Sequence, residues 1–169
     1  RLKAAHSLAQ KVVRELHLKY GSRHPCFAGW YLTHECRDIG YASLYYDAVA
    51  DLCHDLTPGR PVMVAPDGAP VADSAVIAAS HVDIFAYQDA VGAGFVSPPG
   101  ERYSYDPEER LSTLEAAFRT YARWHADAPG KQIWADVEIW QMDGPEYTKA
   151  YPADWSRVAR PLEAVRDHV

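Results

Sequence analysis

Gln132-Ile133-Trp134-Ala135-Asp136-Val137-Glu138 decides how this chain is read. A glycine stop at Gly130 precedes the run, its middle is apolar, and it ends on a carboxylate. A short continuous apolar run, rather than strict alternation, is the pattern of a strand covered on both faces, as in a parallel sheet under helices. Immediately upstream, Leu111, Leu114, Phe118 and Tyr121 recur at helical spacing behind Asp106, Pro107 and Glu109. Those three form a capping box with proline at the first helical position, the clearest helix start in the chain.

The same alternation continues toward the N-terminus. Val82 to Tyr87 reads as a strand ending in Gln88 and Asp89, followed by a Gly/Pro-rich loop to Tyr105 that is long for a plain connector. Asp73 to Ser80 predicts a short helix, and Pro61 to Pro66 a short strand with an Asp67-Gly68 turn behind it. Tyr41, Leu44, Tyr45, Ala48 and Leu52 predict the buried face of a helix stopped by Thr57-Pro58-Gly59. Cys26 to Thr33 has strand composition and ends in His34 and Glu35, while Leu2 to Tyr20 repeats at helical spacing up to Gly21. After Glu138 a last amphipathic helix is carried by Trp155, Val158, Leu162 and Val165 despite Pro161. About four strands alternating with helices place the chain in the α/β class. A partial (β/α)8 TIM barrel is expected over the single domain 1–169, the middle and later part of a barrel, with a small flavodoxin-like open sheet as the rival.

Composition narrows the function. A formal charge of −6 with no Lys/Arg cluster argues against a nucleic-acid partner, whose binding draws on clustered cations. No apolar run approaches the roughly 20 residues of a membrane-spanning helix. With Arg1-Leu2 already inside a helical pattern and no initiator Met, the chain reads as a segment of a longer polypeptide. Cys26, Cys36 and Cys53 lack metal-site spacing, so no metal is expected. Free buried thiols are the plain reading, and a Cys26–Cys53 disulfide the specific alternative. Gly92-Ala93-Gly94 does not complete a GxGxxG loop, and no cofactor is expected.

In parallel α/β folds, polar side chains at the C-terminal ends of strands carry the chemistry. Here those residues are Glu35, then Gln88 and Asp89, then Asp136 and Glu138. Two carboxylates astride a glycosidic bond are what its hydrolysis requires: one protonates the leaving oxygen, the other attacks or shields the sugar carbon. Glu35 is therefore expected as general acid/base and Glu138 as nucleophile. Gln88, Asp89, Asp136, Tyr87, Tyr31 and Trp140 are expected around a bound carbohydrate, the aromatics stacking on sugar C–H faces. The plain readings are solvated loop acids for the carboxylates, a glycine-turn cap for Asp89, and core packing for the aromatics, which is preferred for Trp30 and Trp134. Tyr103, Tyr105 and Trp140 are expected to be exposed.

With Gly29-Trp30-Tyr31 and Glu35, Tyr87-Gln88-Asp89-Ala90-Val91-Gly92, and Trp134-Ala135-Asp136-Val137-Glu138, the chain resembles a bacterial family of unknown function classed with the TIM-barrel glycoside hydrolases. The match runs from about Leu8 to the end. The resemblance implies a complete barrel in the parent protein and a secreted or cell-surface location, and it implies no particular substrate. Thr33-His34 precedes Glu35, where the better-known retaining clan would carry Asn before its acid/base. The functional expectation is a glycoside hydrolase acting on a poly- or oligosaccharide, with a non-catalytic carbohydrate-binding or scaffold barrel as the alternative.

Overall fold

The computed structural model describes residues 2–21, 24–96, 104–146 and 148–169. Tyr103 lies outside the described residues. Four strands, β1 (Trp30–Leu32), β2 (Val62–Val64), β3 (Ile84–Gln88) and β6 (Gln132–Asp136), form one parallel sheet in that order. Each strand lies beside its predecessor and the order never reverses. An open doubly wound sheet reverses its order at a switch point, whereas a barrel adds strands in sequence. The architecture is thus a partial (β/α) barrel, and the flavodoxin-like reading is removed.

Helices α1 (Leu2–Leu16), α2 (Ile39–Leu56), α3 (Ser74–Ala79), α4 (Pro107–His125) and α5 (Trp155–Val165) alternate with the strands. The capping box expected at Asp106 forms, and Asp38 and Asp73 cap α2 and α3 in the same way: Asp38, Asp73 and Asp106 each accept the backbone N–H three residues on, at 2.9, 2.8 and 2.9 Å. Two short antiparallel hairpins were not foreseen. One joins β4 (Phe95–Val96) to β5 (Ser104–Tyr105) inside the long loop after β3, and the other joins β7 (Trp140–Met142) to β8 (Ala150–Pro152) after β6.

Strand parity sorts the side chains. Cα partners across the sheet place Tyr31, Met63, Ile84 and Gln132 on one face, and Leu32, Val64, Phe85 and Ile133 on the other. The second face is the core: Trp30, Leu32, Val62, Val64, Phe85 and Tyr87 pack in one cluster with Leu114, Phe118 and Tyr121 of α4. Tyr87 is fully buried there, stacked on Tyr121 at 4.3 Å with its hydroxyl 2.9 Å from His125 Nε2. The expectation that Tyr87 binds substrate is corrected, because it shares the parity of Phe85 along β3 and turns to the helices. Trp134 has the opposite parity and is 47% exposed on the inner face, not packed in the core.

The buried stripe of α2 also differs from expectation. Leu52 is buried as expected, but the rest of the inward face is Ile39, Ala42, Tyr46, Val49 and Cys53, while Tyr41 and Leu44 are exposed. Both stripes have helical spacing, and the one with the smaller residues allows close approach to the sheet. The three cysteines are free, with Cys26 exposed and Cys53 buried, so the disulfide alternative falls. Burial pushes the Cys53 thiol up to about 12.

Trp30 and Thr57 join β1 to the end of α2: Trp30 Nε1 donates to Thr57 Oγ1 at 2.8 Å, and that hydroxyl donates to the Cys53 carbonyl at 2.8 Å. Thr57→Val keeps the shape and orphans a buried indole N–H. We expect it to lower unfolding free energy by about 1–3 kcal/mol, measured by urea denaturation. An unchanged midpoint would show that the indole finds another partner.

Candidate active site at the strand ends

Every strand of the parallel sheet points the same way, so the C-terminal ends gather at one rim. The polar residues there divide into two groups. On the inner face, Tyr31, Glu35 and Asp136 are exposed and share one electrostatic neighbourhood. Partial burial first, then the negative charge of Glu35, hold the Asp136 carboxyl above its usual range. Burial, Glu35 and Asp136 together raise the Tyr31 phenol. Gln88 is the Cα partner of Asp136 and follows the same face, half-buried.

Behind that face lies the second group, built on Asp89 and Glu138. Asp89 is fully buried. Its Oδ1 accepts the Val91 N–H at 3.1 Å and the Glu138 N–H at 3.3 Å. The expected role of Asp89 in binding sugar hydroxyls is therefore corrected, since its carboxylate is enclosed and committed to backbone amides. Ala90, next in the chain, holds a left-handed φ of 51°, a conformation that non-glycine residues adopt only when their surroundings impose it. The turn then brings the Ala93 N–H to Glu138 Oε2 at 2.7 Å.

Two arginines that sequence reading passed over organise this corner. Arg110, buried in the first turns of α4, donates through Nε to the Asp89 carbonyl at 2.6 Å and through Nη2 to the carbonyls of Gly68 and Gln88. Arg157, on α5, donates through Nη2 to the Glu138 carbonyl at 2.6 Å and to the Trp140 carbonyl. Arg110 does leave a trace in the sequence: it is a charged residue beside Leu111 on the buried stripe of α4. Arg157 leaves none, because the hairpin that brings α5 beneath Glu138 is invisible to periodicity.

The electrostatics follow from burial. Enclosure pushes Asp89 up to about 6 against the opposing pull of the two amides, Arg157 and Arg110. Glu138 goes up to about 7, first through burial and then through the Asp89 charge, against the Ala93 and Gly92 amides and Arg157. Glycine is required at 92 because a Cβ there would stand 2.1 Å from the Trp140 carbonyl and 2.8 Å from Glu138 Oε2. Trp140 is half-buried beside this corner. Among the described residues, no group of three His, Cys, Asp or Glu side chains is placed to hold a metal ion. None of the described helices is long and apolar enough to cross a membrane.

A protein-family model described as a domain of unknown function, DUF4434, matches residues 1–169. The chain belongs to the DUF4434 family. Its structure is similar to the crystal structure of a "putative alpha-L-fucosidase" from Bacteroides thetaiotaomicron VPI-5482, with a TM-score of 0.68 and 21% sequence identity. The similarity covers 93% of this chain and 48% of that one, so the DUF4434 chain spans about half the length of that protein. At this identity the likeness is one of fold. Among curated proteins none matches the sequence.

The raised carboxyl of Glu138 has a consequence for stability. A carboxyl raised on folding stabilises the native state below its unfolded value near 4.5, and that contribution is lost as pH climbs through about 7. Burial lowers the His125 value, which acts in the opposite sense by disfavouring the fold as pH drops. The clean measurement is hence a difference between proteins. Glu138→Gln should raise the melting temperature relative to wild type above pH 7 and leave it nearly unchanged at pH 4. Equal melting shifts at both pH values would contradict a buried, proton-holding Glu138.

Proposed function

We propose that the DUF4434 chain carries the acidic side of a glycoside hydrolase site acting on an oligo- or polysaccharide, with Glu138 as proton donor and Glu35 as the second carboxyl group. The observation that carries this reading is the state of Glu138. Burial just beyond the end of β6 keeps its carboxyl protonated close to neutral pH, and the Ala93 amide holds Oε2 in a fixed position. A general acid needs that combination of fixed direction and a value near the working pH. Sequence order suggested the reverse assignment, with Glu35 as acid; the enclosed environment belongs to Glu138, and Glu35 is exposed.

In the proposed reaction the bond between the anomeric carbon and the leaving oxygen breaks as the Glu138 proton moves to that oxygen. Glu35 meets the positive charge developing on the sugar, either by attack or by shielding; water then supplies the new hydroxyl, and its released proton returns to the Glu138 carboxylate. Asp136, Gln88 and Tyr31 stand on the same inner face as Glu35, where they can accept and donate hydrogen bonds to sugar hydroxyls. Trp140 and Trp134 offer stacking surfaces. The fold shared with the fucosidase-named protein makes α-L-fucosides one substrate class to include, and the rest of a barrel would complete the pocket.

The test uses the polypeptide that carries this chain, assayed on aryl glycosides, α-L-fucosides among them. Glu138→Gln should lower kcat by about 10²–10⁴ for poor leaving groups and much less for leaving groups that need no proton. It should also remove the fall in kcat/KM above about pH 7. Glu35→Gln should lower kcat whatever the leaving group. A wild-type protein that binds glycans as tightly as both variants, with no turnover in any of them, would replace catalysis by carbohydrate binding alone.

A further inference from the structure

Asp89 is not needed by the reaction as written, yet it is the most enclosed acid among the described residues. It occupies the end of β3, has no exposed surface, and its Oδ2 is buried without a hydrogen-bond partner. Its Oδ1 is shared by two amides from different strands' ends: Val91, which begins the turn leading to Ala93, and Glu138 itself. One oxygen thereby holds both the backbone on which Glu138 stands and the turn whose amide grips the Glu138 carboxyl.

We propose that Asp89 is the positioning residue of Glu138, fixing where its carboxyl points and acting on its proton through the buried charge behind it. The inference rests on Glu138 being the proton donor. Three features outside electrostatics support it. The Asp89 carbonyl is itself clamped by Arg110 Nε at 2.6 Å, so the strand end cannot drift. The left-handed Ala90 aims the following turn back over β6, and the absent Cβ of Gly92 lets Trp140 and Glu138 close on that turn. The charged groups facing the pair are Arg110 from α4 and Arg157 from α5. Arg157 donates Nη2 to the carbonyls of Glu138 and Trp140, not to either carboxylate, so on the two carboxyls the guanidinium acts through its field. Two acids so placed titrate as one coupled unit.

Asp89→Asn preserves the Oδ1 acceptor and removes the charge. With glutamate and aspartate carboxyl carbons labelled, NMR should show two linked titration steps in the wild type. In Asp89→Asn it should show a single Glu138 step moved down by roughly half a unit to one unit. The basic limb of the kcat/KM profile should move by the same amount. If Asp89→Asn fails to fold, the wild type still decides, because the amide protons of Val91 and Glu138 must shift in step with both carboxyl carbons. A Glu138 step unmoved by Asp89→Asn, or wild-type amides that ignore the titration, would overturn the proposal and make Asp89 a purely structural clamp. Because the titrations need no substrate, they stand apart from the kinetics of Glu138→Gln, whose failure would sink the glycosidase reading instead.

Discussion

The rim of this half-barrel depends on one buried cation, Arg110, which spends its donors on backbone carbonyls rather than on a carboxylate. Its contacts to Asp89, Gln88 and Gly68 tie the end of β3 to the turn after β2 and to the first turns of α4. Hydrogen bonds from a charged donor are stronger than neutral ones, and a buried guanidinium left unpaired would be severely destabilising. The arrangement therefore has a narrow range of acceptable geometries. Gly68 approaches closely enough that a Cβ there would sit 2.3 Å from the Ala90 Cβ, so the two turns are interlocked. What Arg110 fixes is the direction in which the chain leaves β3, and every acid of the second group takes its position from that.

The enclosure that orders Asp89 and Glu138 also forbids both from carrying charge at little cost. The Asp89 charge adds to burial in raising Glu138, so the second of the two acids to ionise does so only near neutral pH. Arg157 and the backbone amides soften this without cancelling it, since burial remains the largest influence on each acid. The inner-face pair, Glu35 and Asp136, meets water directly. Two carboxylate environments of different polarity at one rim are the physical basis for assigning different roles to acids that look alike in sequence.

The alternation of strands and helices, the cap at Asp106 and the buried stripe of α4 were legible because each is a local pattern. What escaped is non-local. The parity of Tyr87 and Trp134 depends on register, and β3 is apolar on both faces, so its residues gave no clue to which side each one takes. The stripe of α2 was ambiguous because two helical spacings overlap, and only packing against β1 and β2 selects Ile39, Ala42 and Tyr46. The two hairpins are too short for periodicity to register. Asp89 was read as a residue at the rim, but its carboxylate turns inward because the strained turn at Ala90 brings amides to it.

The sheet's uneven covering follows from the same parity. Residues of β1, β2 and β3 turned toward the helices are buried, whereas Tyr31 and Trp134, on the inner face, keep 45% and 47% of their surface exposed. An ordinary core would bury such rings, whose area dominates its energetics. In a closed barrel the inner face is filled by side chains from all the strands, with chemistry confined to the rim at their C-terminal ends. The division in this chain agrees with that plan: large rings lie deeper along the strands, and the carboxylates Glu35, Asp136 and Glu138 lie at the end. Asp89 and Glu138 are thus held by the clamp behind them, apart from the exposed rings of the inner face.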